Sequence, residues 1–174
     1  FDFCRVHKSN GNMRIAIVGA HKVGKTTLAE ALLEHLPGYT LEIEPYYQLE
    51  ASGYEFSEIP DVGDFIEQFN CSVKLVSKSE SNVIFDRCVV DILAYLHVID
   101  PGRNIQLLFD TAQTIITGID LLVFVPIEAS EPISGHQTDQ PKLRGLVNDL
   151  LYDWIGDLGI EVIEVSGILS NRRD

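Results

Sequence analysis

The residues best equipped for chemistry lie near the start of the chain. Gly19-Ala20-His21-Lys22-Val23-Gly24-Lys25-Thr26 fits G-x-x-x-x-G-K-[ST] at every required position. Its glycines let the backbone reach positive φ and turn N–H groups inward around a phosphate. A helix opening near Gly24 would add the positive end of its dipole. Lys25 is the residue type that neutralises β- and γ-phosphates, and the Thr26 hydroxyl is a ligand for Mg²⁺. Thr27 follows within reach of an α-phosphate, while His21 and Lys22 occupy the variable, solvated part of the motif. The pattern therefore predicts ATP or GTP as ligand, and the absence of N-K-x-D favours ATP.

A second group of polar residues stands at Asp86-Arg87. Asp86 ends an apolar run, NVIFD, so its carboxylate is expected at the C-terminal edge of a sheet, where doubly wound folds bind ligands. There it would hold Mg²⁺ directly or through water. The Arg87 guanidinium beside it is suited to clamping a transferring phosphoryl group.

These residues need a scaffold, and the hydrophobic periodicity supplies one. Strands are predicted at 13–18, 39–43, 82–85, 121–125 and 161–165. Helical patterns fall at 26–36, 61–77, 89–99, 105–117 and 143–155, between them. Alternation of this kind predicts an α/β fold, three-layered and doubly wound, with helices on both faces of a parallel sheet. The chain reads as one nucleotide-binding domain over 13–174. Residues 1–12, polar and aperiodic, are expected to be a disordered extension or a remnant of an added tag. The stretch 128–141, rich in Ser, Gly, Pro and Gln, is expected to be a loop, the body of a lid-like segment at about 128–144.

Charge narrows the partners. The formal net charge of −13 and the lack of a basic stripe exclude nucleic acid and anionic membrane surfaces. A small anion remains compatible, because a nest of backbone N–H groups can hold it inside an acidic protein. Cys4, Cys71 and Cys88 show no metal or redox spacing and read as free thiols, the last two in the core, in a reducing cytoplasm. No stretch reaches the length of a membrane span, and no secretory leader is expected.

Taken in order, the phosphate-loop motif, Glu44-Pro45 after the second strand and Asp86-Arg87 after the third resemble the nucleoside and nucleotide kinase group of P-loop proteins. The EP and DR pairs are similar to those of deoxynucleoside kinases, and the chain also resembles small bacterial AAA-type ATP-binding proteins. The resemblance covers about residues 13–167 and implies a five-stranded sheet of order 2-3-1-4-5. It implies Glu44 as base or anchor for an acceptor hydroxyl, Arg87 as a phosphate clamp and Gln68 as a partner for a base. Tyr46, Tyr47 and Phe69 would offer ring surfaces, although Phe69 also fits the apolar face of its helix. Gly167, after the last strand, would border the adenine. Kinases of this group close an arginine-bearing lid. Here 128–141 has no arginine, which leaves Arg144 as the candidate lid residue. The implied activity is transfer of the ATP γ-phosphate to a small acceptor such as a nucleoside or nucleotide, with the oligomeric state left open and a homodimer compatible. A slow ATPase acting as a switch for a protein partner is the alternative.

Overall fold

β1 (Arg14–Val18) alternates its burial between two cores, which defines the architecture. Ile15 and Ile17 face one hydrophobic cluster, whereas Ala16 and Val18 face another. A central parallel strand is covered on both faces and carries apolar residues at every interior position. The computed structural model of the protein describes residues 12–128 and 141–167.

Five parallel strands form the sheet in the order β2-β3-β1-β4-β5. β2 is Thr40–Glu42, β3 Val83–Asp86, β4 Leu121–Phe124 and β5 Glu161–Glu164. The expected strand order is therefore found. Six helices are described: α1 (Lys25–His35), α2 (Pro45–Ala51), α3 (Val62–Lys78), α4 (Val89–Ile99), α5 (Gln106–Ile116) and α6 (Pro141–Ile155). On one face, α1 packs Leu28, Ala29 and Leu32 against Ile15, Ile17, Ile84, Leu121 and Val123. On the other, α3 to α6 bring Phe69, Leu93, Ile116 and Leu151 onto Ala16, Val18, Phe85, Leu122 and Phe124. Each fully buried Leu, Ile or Phe contributes about 1.5–3 kcal/mol, so the interior is supplied mainly by side chains a pattern reading can see.

The periodic segments match the expected helices and strands closely, and α4 has the expected bounds. α2 was not expected. Its sequence, PYYQLEA, lacks an apolar stripe, and Pro45 reads as the end of β2. Pro45 instead occupies the first turn of the helix, where a missing N–H costs nothing. Its N-cap is Glu44, so α2 holds Glu44 at the sheet edge. α6 starts two residues earlier than its pattern, at Pro141. The extension at 1–11 and residues 129–140 of the proposed lid lie outside the described residues. No helix among the described residues is long and apolar enough to cross a membrane.

Candidate active site

The C-terminal ends of β1 and β3 assemble the site. β1 runs into Gly19, where space allows no side chain: a Cβ would sit 2.4 Å from the Val125 carbonyl oxygen. The chain then turns through Lys22, at φ 60, and Gly24, at φ 88. Gly24 is the left-handed N-cap of α1, so the helix begins at Lys25. Lys25 Nζ donates to the Ala20 carbonyl at 2.7 Å, folding the side chain back along the loop. The ammonium is buried, and burial lowers its pKa to about 8, with the Arg87 charge acting in the same direction. A buried cation with one neutral acceptor is under-solvated, and an anion in the loop would relieve it.

Asp86 lies opposite Ile17 in the β1–β3 register. Its Oδ2 accepts a 2.6 Å hydrogen bond from Thr26 Oγ1, and its buried Oδ1 has no hydrogen-bond partner. Burial raises the Asp86 pKa. A hydroxyl and a half-satisfied carboxylate side by side fit a hard divalent cation such as Mg²⁺. Among the described residues no three His, Cys, Asp or Glu side chains cluster into a protein-only metal cage. Mg²⁺ held here would complete its shell with phosphate oxygens and water, the usual arrangement for this ion.

Arg87 takes a left-handed φ of 79 although it carries a side chain. Its N–H bonds the Ile17 carbonyl at 2.9 Å, so the turn is fastened to β1. Arg87 Nε lies 3.1 Å from Glu44 Oε1 and 3.4 Å from Asp91 Oδ2, and its guanidinium covers the Tyr95 ring at 5.2 Å. Burial works against the charge, but Glu44 and Asp91 more than offset it and raise the Arg87 pKa. Asp91 is wholly buried, and burial lifts its pKa to about 6 despite Arg87.

Two cavities meet at these residues. One, of about 300 Å³, is lined by the phosphate loop from His21 to Thr27, together with Glu44, Tyr47 and Arg87. The other, of about 360 Å³, lies between Tyr46, Phe65, Gln68 and Tyr95. His21, Glu44 and Arg87 line both.

The structure thus brings together the loop, Glu44, Asp86, Arg87 and Gln68. Gln68 is buried, with Nε2 donating to the Asp64 carbonyl at 3.3 Å. Tyr46 lines the second cavity and stacks on Phe56, whereas Phe69 belongs to the core. His21 is not simply solvated: its ring nitrogen Nδ1 meets the Tyr95 hydroxyl at 2.7 Å. Burial lowers the His21 pKa to about 4, helped by Arg144, Arg87 and the loop lysines, so Arg144 stands within electrostatic reach of the loop. Gly167 lies beyond β5, donating to Glu128 Oε1 at 2.5 Å, and lines neither cavity. The pattern reading missed Asp91 and Tyr95. Both, with His97, interrupt the mostly apolar α4, and a charge four residues beyond Arg87 in such a helix was the available signal.

Comparisons with known proteins place the fold. Thymidylate kinase from Ehrlichia chaffeensis superposes with a TM-score of 0.67 at 16% identity, covering 90% of this chain and 93% of that one. Deoxyadenosine kinase from M. mycoides, solved with the products dCMP and dCDP, gives 0.62 at 16% identity over 92% and 94%. The YorR protein of Bacillus subtilis, in complex with phosphorylated GDP, gives 0.53 at 17% identity over 86% and 83%. These likenesses establish the fold of the nucleoside and nucleotide kinases. No curated protein matches the sequence. Residues 14–172 match a family described as AAA domain. On that match over nearly its whole length, the chain belongs to the AAA domain family, with a P-loop kinase-like fold.

Proposed function

We propose that the protein is an ATP-dependent kinase that transfers the γ-phosphate to a small acceptor such as a nucleoside or nucleotide. The observation that carries this reading is the pair of adjoining cavities with a common wall of His21, Glu44 and Arg87. A nucleotide site alone needs only the first; a second, ring-sized and partly aromatic cavity beside it supports an acceptor.

In this reading the loop amides and Lys25 hold the β- and γ-phosphates, and Thr27 approaches the α-phosphate. Thr26 and Asp86 would hold Mg²⁺, which supplies charge neutralisation to the phosphates when bound. Glu44 orients the acceptor hydroxyl and takes its proton. Arg87, held charged by Glu44 and Asp91, faces the charge that develops in transfer. Gln68 offers a hydrogen-bonding edge, and Tyr46, Phe65 and Tyr95 offer ring faces to the acceptor. Arg144 approaches from α6, and Gly167 borders the adenine. Catalysis is positioning and charge stabilisation, since phosphoryl transfer asks little covalent chemistry of the protein. The free thiols Cys71 and Cys88 suit a reducing cytoplasm.

A screen of nucleosides, nucleoside monophosphates and small hydroxylated metabolites for acceptor-stimulated ADP release tests this. Stimulation by a member of one class supports the kinase. ADP release that no acceptor raises favours the slow ATPase switch, a reading supported by the arginine-free stretch 128–141.

A further inference from the structure

Tyr95 stands where the two cavities meet, yet it is absent from the chemistry above except as a ring face. It lies four residues beyond Asp91 on α4, so both side chains leave the same side of the helix. Its ring is stacked parallel on Phe65, centroids 5.4 Å apart and planes 3° from parallel, and the Arg87 guanidinium covers it at 5.2 Å. Those contacts leave the ring little freedom. Its hydroxyl reaches the phosphate loop, 2.6 Å from the main-chain nitrogen of His21 and 2.7 Å from Nδ1 of the same residue.

The donor roles follow from the partners. A main-chain N–H can only donate, so the phenolic oxygen accepts there. The Nδ1 contact is a second hydrogen bond, its direction set by the tautomer of His21. One oxygen thereby fixes both the main chain and the ring of a single loop residue. The loop around it is conformationally demanding at Lys22, which takes φ 60 although it carries a side chain, and such a backbone persists only when its surroundings over-determine it.

We propose that Tyr95 is a positioning residue of the phosphate loop, its hydroxyl fixing His21 and so the spacing between the nucleotide and the acceptor cavities. The proposal rests on the Mg-ATP reading of the loop and extends it. Tyr95→Phe keeps the ring and its stacking and removes only the tether. Without the Tyr95 hydroxyl the His21 main chain loses the bond that ties it to α4, and a loop that was preorganised has to be ordered on binding. Loss of one buried hydrogen bond corresponds to roughly a tenfold effect.

The test is a double-mutant cycle on the full chain. Mg-ATP affinity is measured by calorimetry for the parent, Tyr95→Phe, His21→Ala and the double variant. Amide exchange at the residue-21 N–H is followed by NMR, and Leu93→Ala serves as a control that weakens α4 without touching the site. Tyr95→Phe is expected to bind Mg-ATP about tenfold more weakly and to exchange the residue-21 amide about tenfold faster. His21→Ala keeps its main-chain tether and should lose about threefold. The double variant should match Tyr95→Phe alone, because the side-chain contact that His21→Ala removes is one of the two that the Tyr95 hydroxyl makes. Leu93→Ala should melt lower yet bind Mg-ATP within twofold of the parent. The proposal is overturned if Tyr95→Phe binds within twofold or more tightly, if its amide exchange is unchanged, if the two losses simply multiply, or if Leu93→Ala weakens binding as much. A parent that binds Mg-ATP but phosphorylates no acceptor defeats the kinase reading and leaves this cycle decisive for Tyr95. A parent that binds no Mg-ATP overturns both.

Discussion

Replacing Glu44 with Gln separates the chemistry of the site from its architecture. The carboxylate is partly exposed, and its Oε1 lies 3.1 Å from Arg87 Nε. The amide has nearly the same shape, and its oxygen dipole can still face the Arg87 guanidinium. What changes is the charge, and the pairing of two charges becomes a pairing of a charge with a neutral group. An ion pair with one partly exposed member contributes up to about 1 kcal/mol, so the loss is about 1 kcal/mol. Arg87 keeps Asp91 as counter-charge, which prevents the larger penalty of an orphaned buried cation. The main-chain carbonyl of residue 44, which accepts from Tyr47 and Gln48 and starts α2, is untouched. For a chain of this length 1 kcal/mol moves the melting temperature by about 2–4 °C. Mg-ATP affinity and acceptor-free hydrolysis should stay within about twofold, because the phosphates are held from the loop. Transfer to the acceptor should fall by about 10²–10⁴, the range of a lost general base. Calorimetric binding, a thermal melt and an ADP-release assay with and without acceptor read the three quantities separately. Collapse of acceptor-free hydrolysis together with Mg²⁺ dependence would refute the acceptor-side role. A melting drop well beyond about 10 °C would make Glu44 an architectural residue.

Three further substitutions probe the phosphate side. Lys25→Met should abolish Mg-ATP binding by calorimetry while raising the melting temperature of the ligand-free protein. Burial lowers the folded pKa of Lys25 from 10.5 to about 8, so the full penalty applies below pH 8. Between pH 8 and 10.5 the folded state gives up the proton first, stability rises with pH, and the advantage of Lys25→Met should shrink. A constant advantage across that window would contradict the assigned penalty. Asp86→Asn should leave metal-free ATP binding largely intact and remove the gain that Mg²⁺ gives, measured by titration with and without the ion. Gly19→Ala places a Cβ 2.4 Å from the Val125 carbonyl oxygen and should lower the melting temperature by about 5–10 °C with loss of nucleotide binding. An unchanged melt would show that the backbone yields there freely.

How much of this was legible in the chain depends on the kind of force involved. α4 and β1 are held by apolar burial, which leaves a periodic trace, and their bounds were readable almost to the residue. The Gly19–Thr26 segment was readable because each position answers a local requirement of space, φ or charge. α2 left no such trace: of its residues only Pro45 is buried, and its N-cap Glu44 makes no side-chain cap, its carboxylate being turned to Arg87 instead. Asp91 and Tyr95 were hidden for the opposite reason. They lie inside a mostly apolar helix: Asp91 meets Arg87 in the turn four residues before it, whereas Tyr95 meets Phe65 of α3 and His21 of the phosphate loop, partners that only the tertiary fold brings near.

The position of β1 at the middle of the sheet also governs how the protein folds. Arg14 pairs with Val83 on one side and Ile15 with Leu121 on the other, so the strand waits for two distant stretches of chain. Such non-local closure slows folding. Thr26 meets Asp86, and Glu44 meets Arg87, only once those pairings exist. The nucleotide site is consequently built from segments that only the paired strands bring together. A ligand bound there draws the whole cooperative unit toward the native state by mass action, raising the melting temperature as its concentration exceeds its dissociation constant. Nucleotide supply would then regulate how much folded protein survives proteolysis as well as how fast it turns over.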